Sequence, residues 1–184
     1  TCALPIWVRG EIPLFAIVGY TNAGKSTLLN SLTEAGILAE DKLFATLDTT
    51  TRKYTLPNNQ DILLIDTVGF IRKIPHQLVA AFRSTLEEAV SGDILLHLVD
   101  ISHPHCQEQA REAMKVLKEL KAENKPIITV LNKEDQCENK AIIHYFKINY
   151  PNVVVISASK KQGFDDLMEK MVAELAKKRT LVNC

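Results

Sequence analysis

Two glycines, a lysine and a serine set the first chemistry available to this sequence. They stand in Gly19-Tyr20-Thr21-Asn22-Ala23-Gly24-Lys25-Ser26, which fits G-x-x-x-x-G-K-S/T. In a loop of that pattern successive backbone N–H groups form a concave anion site, and a helix beginning at its end adds about half a positive charge. The chemistry is the gripping of nucleotide phosphates, with Lys25 reaching the β- and γ-phosphates and the Ser26 hydroxyl ligating Mg²⁺. Gly19 and Gly24 keep a Cβ from standing between loop and phosphate. A plain glycine turn with a surface lysine behind it is the bland alternative. The flanks weigh against it: residues 14–18 form an apolar run as a buried strand would, and helical patterning begins at Ser26.

A phosphate grip says only that a nucleotide binds, so the base and the switch must be read elsewhere. In Asn132-Lys133-Glu134-Asp135, a fixed Asp135 carboxylate would accept hydrogen bonds from guanine N1–H and its exocyclic amino group, a donor pair that adenine lacks. Lys133 would lay its aliphatic stem on the base, and Asn132 would tie this loop to the phosphate loop. In Asp66-Thr67-Val68-Gly69, Asp66 is suited to hold Mg²⁺ through water, and Gly69 can bring its bare backbone N–H against the γ-phosphate, a contact that vanishes on hydrolysis. Ser157-Ala158-Ser159 would close the base pocket with backbone N–H groups to the guanine oxygen. Each stretch alone passes for a surface turn; their order along the chain joins them.

Bringing these stretches together requires a sheet whose strands end on one side. From residue 14 onward short apolar strands alternate with amphipathic helical patterns, which predicts an α/β domain with a mainly parallel sheet and helices on both faces. Strands are expected at residues 14–18, 52–56, 62–65, 94–99, 127–131 and 153–156, and the turn residues Pro57-Asn58-Asn59-Gln60 make the second and third an antiparallel hairpin. Residues 36–52 carry many Thr and Asp and little periodicity, and read as a loop that orders on binding. Helical spacing links Leu78, Val79, Phe82, Leu86 and Ala89 behind Pro75. It recurs in Cys106, Ala110, Ala113, Met114, Leu117 and Leu120, more weakly over 140–150, and in Phe164, Leu167, Met168, Met171, Val172 and Leu175. Asp165 and Asp166 in the first turn of this last helix, and Lys177, Lys178 and Arg179 in its last, suit the helix dipole. The expected organisation is a linker remnant or non-native segment over 1–12, one domain over 13–178 and a C-terminal tail over 179–184. The missing initial Met and the early first strand lead us to expect a fragment of a longer chain.

The 184 residues suffice for one domain with a substantial core, and 22 basic residues balance 22 acidic ones. No net field advertises a nucleic-acid or membrane partner, although balance leaves room for a local basic patch, and neither DNA nor a membrane span is expected. Cys2, Cys106, Cys137 and Cys184 are far apart, without C-x-x-C or zinc spacing, and read as reduced thiols. No apolar run approaches the roughly 20 residues of a membrane span, and no signal-peptide pattern is visible, so a cytoplasmic location is expected.

Taken together, the motifs resemble those of translation-factor-type GTPases in their usual order, and more narrowly those of the HflX family. The narrower match rests on the phosphate loop, on Leu43-Phe44-Ala45-Thr46-Leu47-Asp48, and on Asp66-Thr67-Val68-Gly69-Phe70-Ile71-Arg72. Ile74-Pro75-His76-Gln77-Leu78-Val79 and Phe82-Arg83-Ser84-Thr85-Leu86-Glu87-Glu88 look like that family's second switch helix. The resemblance covers roughly residues 12–178 and implies a Ras-like G domain that binds and hydrolyses GTP, with a six-stranded sheet and one antiparallel strand. It implies nucleotide contacts from Gly19 to Ser26 and from Thr27, from Phe44, Ala45, Thr46, Leu47 and Asp48, and from the three later motifs. Ser26, Thr46 and Asp66 would serve Mg²⁺, and Lys25, Thr46 and Gly69 would lie nearest the reaction. Spacing alone does not choose among Thr46, Thr49, Thr50 and Thr51; the resemblance points to Thr46. Thr49 departs from the family's usual proline, which should loosen the loop. For the full-length protein the resemblance implies binding to the large ribosomal subunit and its RNA through an N-terminal glycine-rich and helical region, expected to lie outside this sequence.

The water-orienting group is the gap. Phe70 follows Gly69 where Ras-like enzymes commonly place glutamine, and it cannot orient water by a side-chain hydrogen bond, which implies slow intrinsic turnover; packing against the sheet edge is its other reading. Asn22 suggests, from related GTPases, a K⁺ ion beside the phosphates. Arg72 and Lys73 could contact a partner or ribosomal RNA, or form a solvated pair. His76, His97, His103, His105 and His144 show no ligand spacing and read as structural or surface residues. Two competing functions remain: a nucleotide-dependent RNA or ribosome-assembly module whose hydrolysis is incidental, and a P-loop ATPase or kinase, which Asn132 to Asp135 disfavours. The oligomeric state is not legible.

Overall fold

A computed structural model describes residues 12–33, 50–67, 69, 92–122 and 124–182 of the chain. Within them the apolar runs become six strands, β1 Leu14–Gly19, β2 Thr50–Thr55, β3 Asp61–Asp66, β4 Ile94–Asp100, β5 Ile127–Asn132 and β6 Val154–Val155. Four helices accompany them among the described residues: α1 Lys25–Thr33, α2 Cys106–Glu119, α3 Ala141–Asn149 and α4 Phe164–Val182. The sheet order is β2-β3-β1-β4-β5-β6, parallel throughout except for the antiparallel β2–β3 pair. This is the expected Ras-like α/β architecture.

The central strands β1, β4 and β5 are apolar at nearly every position because both faces are covered, as parallel sheets require. On one face Phe15, Ile17, Leu64, Leu96 and Val130 meet Leu28, Leu29 and Leu32 of α1 and Leu167, Met171 and Leu175 of α4. On the other, Ala16, Val18 and Leu95 meet Ala113 and Leu117 of α2, while Val99 and Leu131 pack with Phe146 of α3. Met114 and Leu120, expected in the α2 stripe, sit half-buried at its edge.

Several boundaries differ from the sequence expectation, each for a local reason. β2 begins at Thr50, inside the stretch read as loop, because the ladder with β3 continues to the Thr50–Asp66 pair. β6 keeps only two residues: after Ile156 the chain turns back on itself, and Ser157 and Gln162 exchange backbone hydrogen bonds at 3.1 Å. α4 runs past residue 178 to Val182, since nothing in Lys-Arg-Thr-Leu-Val breaks a helix. The expected helix after Pro75 and the segment 1–10 lie outside the described residues. No described helix is long and apolar enough to cross a membrane.

Candidate nucleotide-binding site

The C-terminal ends of β1, β3, β4 and β5 deliver the motif residues to one side of the sheet, where ligands bind in open α/β folds. After Gly19 the chain turns through Tyr20, Thr21, Asn22 and Ala23, the turn closed by Ala23 N–H donating to the Tyr20 carbonyl at 3.2 Å. Asn22 and Gly24 take positive φ angles of 64° and 98°, which point main-chain N–H groups into the loop. Space is as restrictive as torsion: a Cβ at Gly19 would lie 2.4 Å from the Leu98 carbonyl oxygen, and one at Gly24 would lie 2.3 Å from Asn132 Nδ2. Lys25 opens α1, with Ser26 and Thr27 in its first turn.

The Lys25 ammonium is buried beneath the loop and donates to the Tyr20 carbonyl at 3.0 Å. Burial lowers its pKa to about 8, partly opposed by the nearby Asp66 carboxylate. The Ser26 hydroxyl donates to Asp66 Oδ2 at 2.9 Å, so a hydroxyl and a buried carboxylate meet beside the loop. Such hard oxygens fit Mg²⁺, which takes one or two protein oxygens and completes its shell with water and phosphate. Beyond Asp66, the buried Thr67 hydroxyl donates to the Ile17 carbonyl at 2.8 Å and binds this segment to β1. Gly69 follows directly against the loop: a Cβ there would meet Lys25 Nζ at 2.7 Å and Thr21 Cα at 2.9 Å.

Asn132 connects the two halves of the site. Its Nδ2 donates to the Ala23 carbonyl at 2.9 Å and its Oδ1 accepts from Ala158 N–H at 3.0 Å, so one buried amide holds the phosphate loop and the Ser157-Ala158-Ser159 segment together. Lys133 adopts the left-handed conformation at the start of a short 3₁₀ turn, Glu134–Gln136, that carries Glu134 and Asp135. Glu134 faces Lys140 at the surface and does not turn into the site. Asp135 is nearly enclosed; its Oδ2 lies 3.6 Å from Lys160 Nζ, and its buried Oδ1 has no hydrogen-bond partner. The Ser157 hydroxyl, and further out the Lys160 ammonium, hold the Asp135 carboxyl below the usual carboxylate range. A buried, ionised oxygen without a donor is suited to a ligand that supplies one. Ala158 is buried and Ser159 exposed.

Tyr20, Thr21, Asn22, Ala23, Gly24, Lys25, Ser26, Asp66, Thr67, Gly69, Asn132, Asp135 and Ala158 thus converge. Phe44, Ala45, Thr46, Leu47, Asp48, Val68, Phe70, Arg72 and Lys73 lie outside the described residues. Of the alternatives to Thr46, Thr50 and Thr51 are held in the β2 ladder. His97 is buried in β4, and the His103 and His105 rings lie 5.8 Å apart between centroids, tilted by 50°, on the turn before α2. Cys106 and Cys137 are free and buried. Sequence reasoning overlooked Asp100, which pairs with Lys133 at 2.7 Å, and Lys160 beside Asp135. An acid ending the strand next to the one that ends in Asn132 was the available signal.

A Ras-like sheet with a phosphate loop after β1, an Asp at the end of β3 and an Asn-Lys-x-Asp turn after β5 defines the P-loop GTPase domain. The chain belongs to the family described as 50S ribosome-binding GTPases, whose model matches residues 14–133, and its likeness within that group is to HflX GTPases. The HflX GTPase of Lacrimispora saccharolytica is 54% identical over 160 residues, 87% of this chain and 37% of that protein. Two solved structures share the fold. A GTP-binding protein from Sulfolobus solfataricus, in complex with GDP, is 34% identical with a TM-score of 0.72, covering 90% of this chain and 53% of that one. Era, solved with MgGDPNP and nucleotides 1506–1542 of 16S ribosomal RNA, is 26% identical with a TM-score of 0.70, covering 89% and 57%. The chain therefore spans little more than a third of the length of the HflX protein cited.

Proposed function

We propose that residues 13–178 form the G domain of a GTP-driven switch that binds GTP and GDP with Mg²⁺, hydrolyses GTP and, within a longer protein, acts on the large ribosomal subunit in the cytoplasm. The observation that carries this is the Asn132 side chain bonded to both Ala23 and Ala158, which ties the Gly19–Ser26 loop to the Ser157–Ser159 segment. The loop N–H groups and Lys25 neutralise the phosphates, Ser26 and Asp66 hold the metal, and Asp135 and Lys133 hold the guanine. Mg²⁺, held by Ser26 and Asp66, would supply charge neutralisation for the phosphates. Thr46 and Gly69 close on the γ-phosphate and release after hydrolysis, which is the switch. Ribosome action is supported by kinship with HflX GTPases and the family's description.

Because Phe70 offers no hydrogen bond to the attacking water, turnover in the isolated domain is slow, and a partner-supplied group would accelerate it by about 10³- to 10⁵-fold. K⁺ beside Asn22 would provide part of that charge. Competition of GTP against ATP tests the base pocket, and equal binding would reject it. Single-turnover hydrolysis near seconds without a partner would reject slow chemistry, and equal rates in Na⁺ and K⁺ would reject the monovalent ion. Affinity for 50S subunits that is the same with GTP, GDP and a non-hydrolysable analogue would favour a binding module over a switch.

A further inference from the structure

Asp100 ends β4 directly beside Asn132, the two Cα positions being register partners. Its carboxylate is largely enclosed, with 12% of the side chain exposed, and Oδ2 lies 2.7 Å from Lys133 Nζ. Oδ1 is engaged separately, accepting from Ser102 N–H at 3.0 Å and from the Ser102 hydroxyl at 2.5 Å. The turn after β4 thus clamps the carboxylate before it meets the lysine. Lys133 is constrained at its other end as well, since its backbone sits at φ 62° as it leads into the turn carrying Asp135.

We infer that Asp100 is a positioning residue for purine binding, an inference that rests on the nucleotide site proposed above. With its backbone and its ammonium both held, the four-carbon stem of Lys133 is stretched along the base pocket before a nucleotide arrives. A free lysine would lose rotamer freedom when ordered against a ring; Asp100 moves that loss out of the binding step. The stem meets the face of the purine, whereas Asp135 meets its edge. Asp100 therefore sets how tightly a purine nucleotide is held, and Asp135 sets which one.

The test is calorimetric titration of the chain, Asp100→Asn, Lys133→Ala and the double variant with GDP, IDP and inorganic tripolyphosphate in Mg²⁺. Asp100→Asn should weaken GDP and IDP by the same factor, about tenfold. Tripolyphosphate, which uses only the phosphate loop, should bind unchanged, and the double variant should bind GDP no worse than Lys133→Ala alone. Undiminished GDP binding by Asp100→Asn would overturn the inference, as would losses that multiply in the double variant or tripolyphosphate binding that falls in step. If the unsubstituted, folded chain binds no GDP, the nucleotide site itself fails and Asp100 with it; GDP bound equally by the chain and by Asp100→Asn removes only Asp100.

Discussion

The Asn132 side chain donates to the Ala23 carbonyl across 2.9 Å, although 109 positions separate the two residues in sequence. β1 and β5 are not neighbours in the sheet, since β4 lies between them. The bond therefore spans a strand to reach the phosphate loop, and the same amide accepts from Ala158 on the far side. One side chain thus ties the turn after β1 to the segment after β6.

Replacing Asn132 by Ala should cost stability and affinity together. The Ala158 N–H would be left buried without its partner and the Ala23 carbonyl would lose its donor, a penalty of about 1–3 kcal/mol for a buried group left unpaired. Urea unfolding of Asn132→Ala should show that loss, and GDP titration should show weaker binding even where the protein is fully folded. A variant as stable and as tight as the parent would mean the bridge is incidental.

Gly24→Ala should disrupt the phosphate loop more sharply than its size suggests. The residue stands at φ 98°, and a Cβ would come within 2.3 Å of Asn132 Nδ2, an atom already committed to Ala23. Backbone strain alone should amount to about 1–3 kcal/mol. The measurement is GDP and tripolyphosphate affinity: both should fall at least about tenfold, because the damage lies at the phosphates.

Asp135→Asn should erode the choice of base while sparing the phosphate grip. The substitution removes the carboxylate charge and keeps the volume, so on the proposed function guanine N1–H and the amino group would lose their shared acceptor. GTP affinity should fall about 10- to 100-fold, with tripolyphosphate affinity unchanged. Retained GTP preference over ATP in competition binding would locate base selection elsewhere.

His97 makes stability depend on pH. Complete burial in the sheet lowers its pKa from 6.5 to about 4, so the folded state keeps it neutral while the unfolded chain takes up a proton first. The contribution is fully present above pH 6.5 and declines as pH falls toward 4, to a total loss of about 3 kcal/mol. Urea midpoints at pH 7 and pH 4.5 should therefore separate less in His97→Gln than in the parent. Parallel losses in both proteins would place the pH dependence in other groups.

Much of the candidate site's arrangement was legible because its pieces are short and local. A glycine-rich turn between an apolar run and a helical pattern can be read from neighbouring residues alone, and so can an acid at the end of an apolar strand, as with Asp66. The alternation of periods likewise predicted the strand sequence and the antiparallel hairpin around Pro57 to Gln60. Strand ends were less legible. β2 extends to Thr50 through pairing with Asp66, and β6 stops at Val155 because the following chain pairs with itself; neither is written in local propensity.

By itself, then, the sequence determined the elements, the donor and acceptor types at each motif and the family they match, because periodicity and turn chemistry act over a few residues. Tertiary structure decided which groups meet. Only the packing of β1, β3, β4 and β5 brings Ser26 to Asp66, Gly69 to Lys25, Asn132 to Ala23, and Asp100 to Lys133. Those are contacts between segments distant along the chain, and their distances are set by the sheet's order and register, which no single stretch encodes.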